Sequence, residues 1–178
     1  MKISICGKGG TGKSTLTYLL AKEFEKRNFN VVVIDSDESN TSLYKFFGFK
    51  NPPVPLIELV GGKKSIQRRL KQLGGFQLTK SKISVDEIPE PFIRKEGKIN
   101  LISIGKILQA YEGCACPMGA LTKEFLKKLN LKDNEIAIVD TEAGVEHFGR
   151  GIEKYIDLVI ILINHSCESI DVAEKIKE

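Results

Sequence analysis

Short apolar runs alternate along the chain with stretches that repeat an apolar residue every three or four positions. Continuous apolar runs suit strands buried on both faces of a parallel sheet, whereas the three-to-four spacing marks the buried face of a helix. Lys2–Cys6 reads as a first strand, and Lys13–Asn28 as a helix with Leu16, Leu19, Leu20 and Phe24 on one face. Val31–Asp35 is a second strand that ends in an acid. Ile99–Ile104, Ile136–Asp140 and Leu158–Asn164 read as further buried strands, with Pro117–Leu129 and Glu168–Glu178 as helices. This alternation predicts an α/β fold with a mainly parallel central sheet flanked by helices.

The stretch 39–98 interrupts the pattern. Thr41–Phe47 reads as a short helix and Lys64–Leu73 as a longer one, with Ile66, Leu70 and Leu73 on one face. Gly61-Gly62 and Gly74-Gly75 punctuate its ends, and Pro52, Pro53, Pro55, Pro89 and Pro91 mark loops. The expectation is an irregular insertion between core strands within one domain, 1–178. The final helix has no stop signal, so the chain is expected to end before the whole fold is complete.

Composition narrows the class without naming a chemistry. With 178 residues, 42% of them hydrophobic and 28% charged, the chain is an ordinary globular domain with a sizeable core. Its net charge is +4, and the basic residues bunch at Lys63-Lys64, Arg68-Arg69-Lys71 and Arg94-Lys95. That balance is too weak to argue a nucleic-acid partner, and the clusters read as a solvated helix face and a loop. No apolar run is long enough to cross a membrane, and the start lacks signal-peptide architecture. A cytoplasmic location is therefore expected, with thiols kept reduced. The four cysteines are then packing residues or metal ligands rather than disulfides.

The chemistry concentrates after the first strand. Gly7-Lys8-Gly9-Gly10-Thr11-Gly12-Lys13-Ser14 fits G-x-x-x-x-G-K-[ST], between a strand and a helix. The backbone N–H groups of Gly9, Gly10, Thr11 and Gly12, with the helix N-terminus behind them, suit a phosphate. Lys13 is expected at the β- and γ-phosphates of ATP, Ser14 on Mg²⁺ and Thr15 near the α-phosphate. Asp140 ends its strand where such folds place the acid that holds Mg²⁺. Asp35 and Asp37 follow the second strand, and Asp37 is the candidate for orienting the attacking water; a turn or helix cap is the plainer role for such an acid.

Lys8 narrows the family. A lysine near the start of the loop, in Lys8-Gly9-Gly10-Thr11-Gly12-Lys13-Ser14-Thr15, resembles the deviant-loop ATPases, which include MinD and ParA proteins and the nitrogenase iron protein. The resemblance implies a P-loop NTPase fold and a nucleotide-sandwiched homodimer in which Lys8 reaches the partner's phosphates. Glu112–Gly119 and Asp140–Gly151 resemble the branch of CooC-type maturation ATPases for nickel carbon monoxide dehydrogenase. With Asp35-Ser36-Asp37 the resemblance spans the chain and is weakest over 51–98. It implies that Gly144 joins the γ-phosphate site and that apo carbon monoxide dehydrogenase is the client.

Cys114 and Cys116 lie two apart, so in an extended segment both side chains point the same way. Pro117 suits a first helical position and places Cys116 near a helix N-terminus, which favours thiolate. Two thiolates leave a tetrahedral metal half-liganded, and a two-fold dimer would supply the other two. The resemblance implies the same residues and arrangement. Zn²⁺ suits the tetrahedral form and Ni²⁺ a planar one; two packed thiols or a redox pair are the alternatives. Cys6 reads as core and Cys167 as loop packing. His147 reads as a nucleotide sensor or surface histidine rather than a ligand. Rival functions are a MinD- or ParA-like positioning ATPase, a dimer-bridging iron–sulfur electron carrier and a structural zinc dimer.

Overall fold

Valine- and isoleucine-rich runs form the body of the chain because both faces of each strand can be covered. A computed structural model describes residues 1–40, 42–106, 116–143 and 151–177, except the side chains of Cys116 and Lys177. Six strands, β1 (Lys2–Gly7), β2 (Asn30–Asp35), β3 (Ile93–Glu96), β4 (Ile99–Ser103), β5 (Glu135–Asp140) and β6 (Leu158–Leu162), form one sheet. Their order is β3-β4-β2-β5-β1-β6. All neighbours pair in parallel except β3 and β4, which form an antiparallel pair.

The helices are α1 (Lys13–Lys26), α2 (Leu43–Phe46), α3 (Leu56–Leu59), α4 (Gly62–Leu73), α5 (Cys116–Lys128) and α6 (Cys167–Lys177). Alternate residues of each central strand serve opposite cores. Val31, Val33, Ile136 and Ile138 meet Ala21 of α1 and Leu43 of α2, with Leu16, Leu20 and Phe24 packed against them. Val32, Ile34, Ala137 and Val139 meet Leu56 and Ile57 of α3, Ile66 of α4 and Leu121 and Phe125 of α5. Each fully buried valine, leucine or isoleucine among them contributes roughly 1.5–3 kcal/mol.

Several expectations need correction. Helix α1 stops at Lys26, because Asn28 turns left-handed (φ 73°) and Phe29 N–H donates to the Phe24 carbonyl at 3.0 Å, a Schellman-type stop. Leu19 and Leu73 are 55% and 77% exposed rather than packed. The short helix is Leu43–Phe46, and Thr41 lies outside the described residues. Within the stretch 39–98, Phe76, Val85, Ile88 and Ile93 are buried in the α5-side core. Arg94 and Lys95, expected in a loop, belong to β3. Among the described strands β6 lies at one edge of the sheet, as β3 does at the other, and is half-exposed rather than buried. Among the described residues no helix is long and apolar enough to cross a membrane.

Candidate functional site

Parallel pairing brings the carboxyl ends of the strands to one rim, where ligands of open α/β sheets bind. The register places Ser103 opposite Asp35, Asp35 opposite Asp140, and Asp140 opposite Ile5. Two residues beyond Ile5 the chain leaves β1 at Gly7 and enters the phosphate loop. Sequence position at a strand end thus becomes a row of side chains beside that loop.

Gly12 caps α1 in the left-handed conformation (φ 90°), and the loop closes on the carbonyl of Lys8. That carbonyl accepts from Thr11 N–H at 3.3 Å, Thr11 Oγ1 at 2.8 Å and Lys13 Nζ at 3.4 Å. Gly9, Gly10 and Gly12 are exposed, Thr15 is exposed on the first turn, and Lys13 is buried. Gly7 has φ +140°, and a Cβ there would stand 2.4 Å from the Leu162 carbonyl oxygen and 3.1 Å from Thr11 Oγ1. Gly7→Ala is therefore expected to cost about 1–3 kcal/mol through overpacking against β6. Urea denaturation of the two proteins measures it, and an unchanged midpoint would rule that contact out.

Ser14 Oγ donates to Asp140 Oδ2 at 2.6 Å and accepts from Asn40 Nδ2 at 2.9 Å. Asp140 is fully buried, and among the described residues its Oδ1 has no hydrogen-bond partner. A serine hydroxyl beside a carboxylate with one oxygen unspent is a hard-oxygen donor set, which fits Mg²⁺. Burial pushes the Asp140 carboxyl up to about 6, opposed by the Ser14 hydrogen bond. Asp35 is pushed up to about 7, again by burial, with Lys106 pulling the other way. For this pair the ion pair is short and yet desolvation outweighs it, so the upward direction holds.

Asp37 is buried, but its Oδ1 accepts from Ser39 N–H (2.9 Å), Ser39 Oγ (2.6 Å) and Asn40 N–H (3.1 Å). Through these bonds it shapes its own loop. Lys8 Nζ pairs with Glu168 Oε2 of α6 at 3.2 Å within the same chain, at the surface. Cys6 is buried, with Ser4 Oγ 3.2 Å from its sulfur, as a core thiol should be. Cys167 is exposed at the start of α6, which corrects the expectation of packing. Cys114, Gly144 and His147 lie outside the described residues, as does the side chain of Cys116, whose backbone opens α5. Among the described residues no group of three or more His, Cys, Asp or Glu is placed to hold a metal ion.

Asn40 and Lys106 were not expected at the site. Lys106 Nζ lies 2.7 Å from Asp35 Oδ1 and also donates to the carbonyls of Asp37 and Asn40. Nothing in the spacing of a lone lysine after a strand announces this. Its only signal was position, three residues past the strand end that faces Asp35.

A glycine-rich loop from strand to helix, a buried lysine and a serine–aspartate pair at the rim define a P-loop nucleotide-binding domain. The family described as "CobQ/CobB/MinD/ParA nucleotide binding domain" matches residues 3–177. The chain belongs to that family, and it is an ATPase domain by class. It is 52% identical, over 181 aligned positions, to an uncharacterized ATP-binding protein of Methanocaldococcus jannaschii, covering 100% of this chain and 72% of that protein. It is 34% identical to the carbon monoxide dehydrogenase accessory protein CooC of Rhodospirillum rubrum, covering 99% of this chain and 68% of CooC. The septum site-determining protein MinD from Pyrococcus horikoshii OT3, solved with Mg-ADP, shares the fold with a TM-score of 0.67 at 17% identity. That match covers 99% of this chain, which spans 63% of the length of the MinD chain.

Proposed function

We propose that the chain is the nucleotide-binding domain of an ATP-dependent maturation factor that binds metal between two copies of itself and supports nickel insertion into carbon monoxide dehydrogenase. One observation carries this reading: the likeness to CooC runs over 99% of the chain, and so over both the phosphate loop and the cysteine-bearing segment.

The site supports the nucleotide half. The backbone of Gly9–Gly12 and the ammonium of Lys13 hold the phosphates, with Thr15 at the α-phosphate end of the loop. Ser14 and Asp140 hold Mg²⁺, with Asp35 behind them. A bound Mg²⁺ would neutralise phosphate charge. Asp37 Oδ1 is committed to Ser39 and Asn40, so its other oxygen orients the attacking water. Gly144 joins the γ-phosphate from the segment after β5. Lys8 leaves Glu168 to reach the partner copy's phosphates; a solvent-exposed pair of this kind contributes little and is readily given up.

Cys114 and Cys116 from each copy would complete a four-sulfur site for Zn²⁺ or Ni²⁺. Elemental analysis beside oligomeric mass tests this. Wild type is expected to carry one metal per two chains, and the Cys114→Ser/Cys116→Ser variant none. A variant that keeps its metal would sink the assignment.

A further inference from the structure

The side chain of Asn40 joins the loop after β2 to the first turn of α1. Its Nδ2 donates to Ser14 Oγ at 2.9 Å. Its Oδ1 accepts from Ser42 N–H at 3.0 Å and from Ser42 Oγ at 2.9 Å. A backbone N–H can only donate, so the amide oxygen has to face Ser42 and the nitrogen Ser14. Both ends of one planar amide are thereby used, and neither can turn away without breaking the other. The Asn40 backbone N–H donates to Asp37 Oδ1 at 3.1 Å, so the same residue also holds the acid of this loop.

The consequence falls on Ser14. A serine hydroxyl has one proton and two lone pairs. Its proton goes to Asp140 Oδ2 at 2.6 Å, and one lone pair accepts from Asn40. The other lone pair remains, and the two bonds fix where it points. Asn40 thus does for Ser14 what a hydrogen-bonded carboxylate does for a metal-binding histidine: it sets the orientation of a ligand without touching the ion. The donor is also neutral. Asp35, Asp37 and Asp140 already bring three buried carboxyls to this rim, and an amide steers the serine without adding a fourth.

A plainer role for Asn40 is local. The bond from Ser42 N–H to Asn40 Oδ1 spans two residues and is that of an Asx-turn, which shapes a loop wherever it occurs. The Ser14 bond spans 26 residues, and a turn does not require it.

We propose that Asn40 is a positioning residue for Mg²⁺, orienting the Ser14 hydroxyl that receives the ion, an inference that rests on the assignment of Ser14 and Asp140 to Mg²⁺ above. The test is calorimetric titration of the whole chain with ADP, in saturating Mg²⁺ and in EDTA. The ratio of the two affinities measures how much the bound ion and the nucleotide favour one another. Damage to the fold or the phosphate loop lowers both affinities and leaves the ratio in place.

Asn40→Ala is expected to lower that ratio by about 10- to 100-fold, the usual effect of losing a group that orients a metal ligand. Asn40→Ser separates the two roles. Its hydroxyl can still accept from Ser42 N–H and keep the turn, but it is too short to replace the amide at Ser14. It is expected to lose the ratio as Asn40→Ala does, and it decides the matter if Asn40→Ala does not fold. A wild-type ratio in Asn40→Ser would show that the turn is all Asn40 provides and would overturn the proposal. Ser14→Ala tells this failure from failure of the Mg²⁺ assignment. Its ratio is expected to fall as well, and a wild-type ratio there would overturn the assignment itself.

Discussion

Lys13→Ala is expected to weaken Mg²⁺-ATP binding by roughly 10- to 150-fold, the equivalent of about 1.5–3 kcal/mol for a hydrogen bond to a charged group. Lys13 is buried at the mouth of the loop and, among the described residues, makes one long bond, 3.4 Å, to the Lys8 carbonyl. A buried ammonium so lightly used is available for another partner. The same substitution is expected to leave the urea midpoint nearly unchanged, because the bond it breaks is long. Calorimetric titration of wild type and variant with Mg²⁺-ATP measures the first effect. Equal affinities would remove Lys13 from the phosphate site and with it the core of the functional reading.

The second large effect is a dependence of stability on pH that runs opposite to ordinary acid denaturation. Burial raises Asp140 to about 6 and Asp35 to about 7, from an ordinary value of 3.8. The folded state therefore holds these protons more tightly than the unfolded chain. Their contribution is full below pH 3.8 and is lost as pH rises through the folded values, so the ligand-free fold loses on the order of a few kcal/mol between about pH 4 and 7.5. Exposed acids such as Asp86, held below its usual range by the Lys132 hydrogen bond, act in the other direction but are screened by water. Differences from variants isolate the effect. Asp140→Asn is expected to flatten the lower part of the profile and Asp35→Asn the upper part. Mg²⁺-ATP is expected to restore stability at high pH, where it finds Asp140 ionised. Profiles of both variants that parallel wild type would show that neither carboxylate is desolvated as described.

The strands and the phosphate loop were legible because each rests on local pattern: apolar runs for β1, β2 and β5, and a spaced set of glycines with Lys13 and Ser14. What stayed hidden depends on distant partners. Nothing local tells that Leu19 faces water, since its helix buries the face through Thr17 and Ala21 instead. Strand β3 carries charged Arg94, Lys95 and Glu96 and reads as a loop until β4 pairs with it. The acids at the rim were identifiable from the strand ends, but Asn40 and Lys106 enter the site through contacts 26 and 71 residues apart in sequence. Asp37 is the candidate for orienting a water, and its Oδ1 also caps its own loop through Ser39 and Asn40, the commoner use of an aspartate after a strand.

Parallel strands also separate the two rims of the sheet. At about 3.3 Å per residue, the six residues of β2 or β5 put the amino ends some 17 Å from Asp35 and Asp140. Turns at that far rim, around Lys98 and Asn134, can lengthen, shorten or accept a reporter dye without touching the chemistry. Evolution can thus redecorate one side of the molecule while the other keeps its trade.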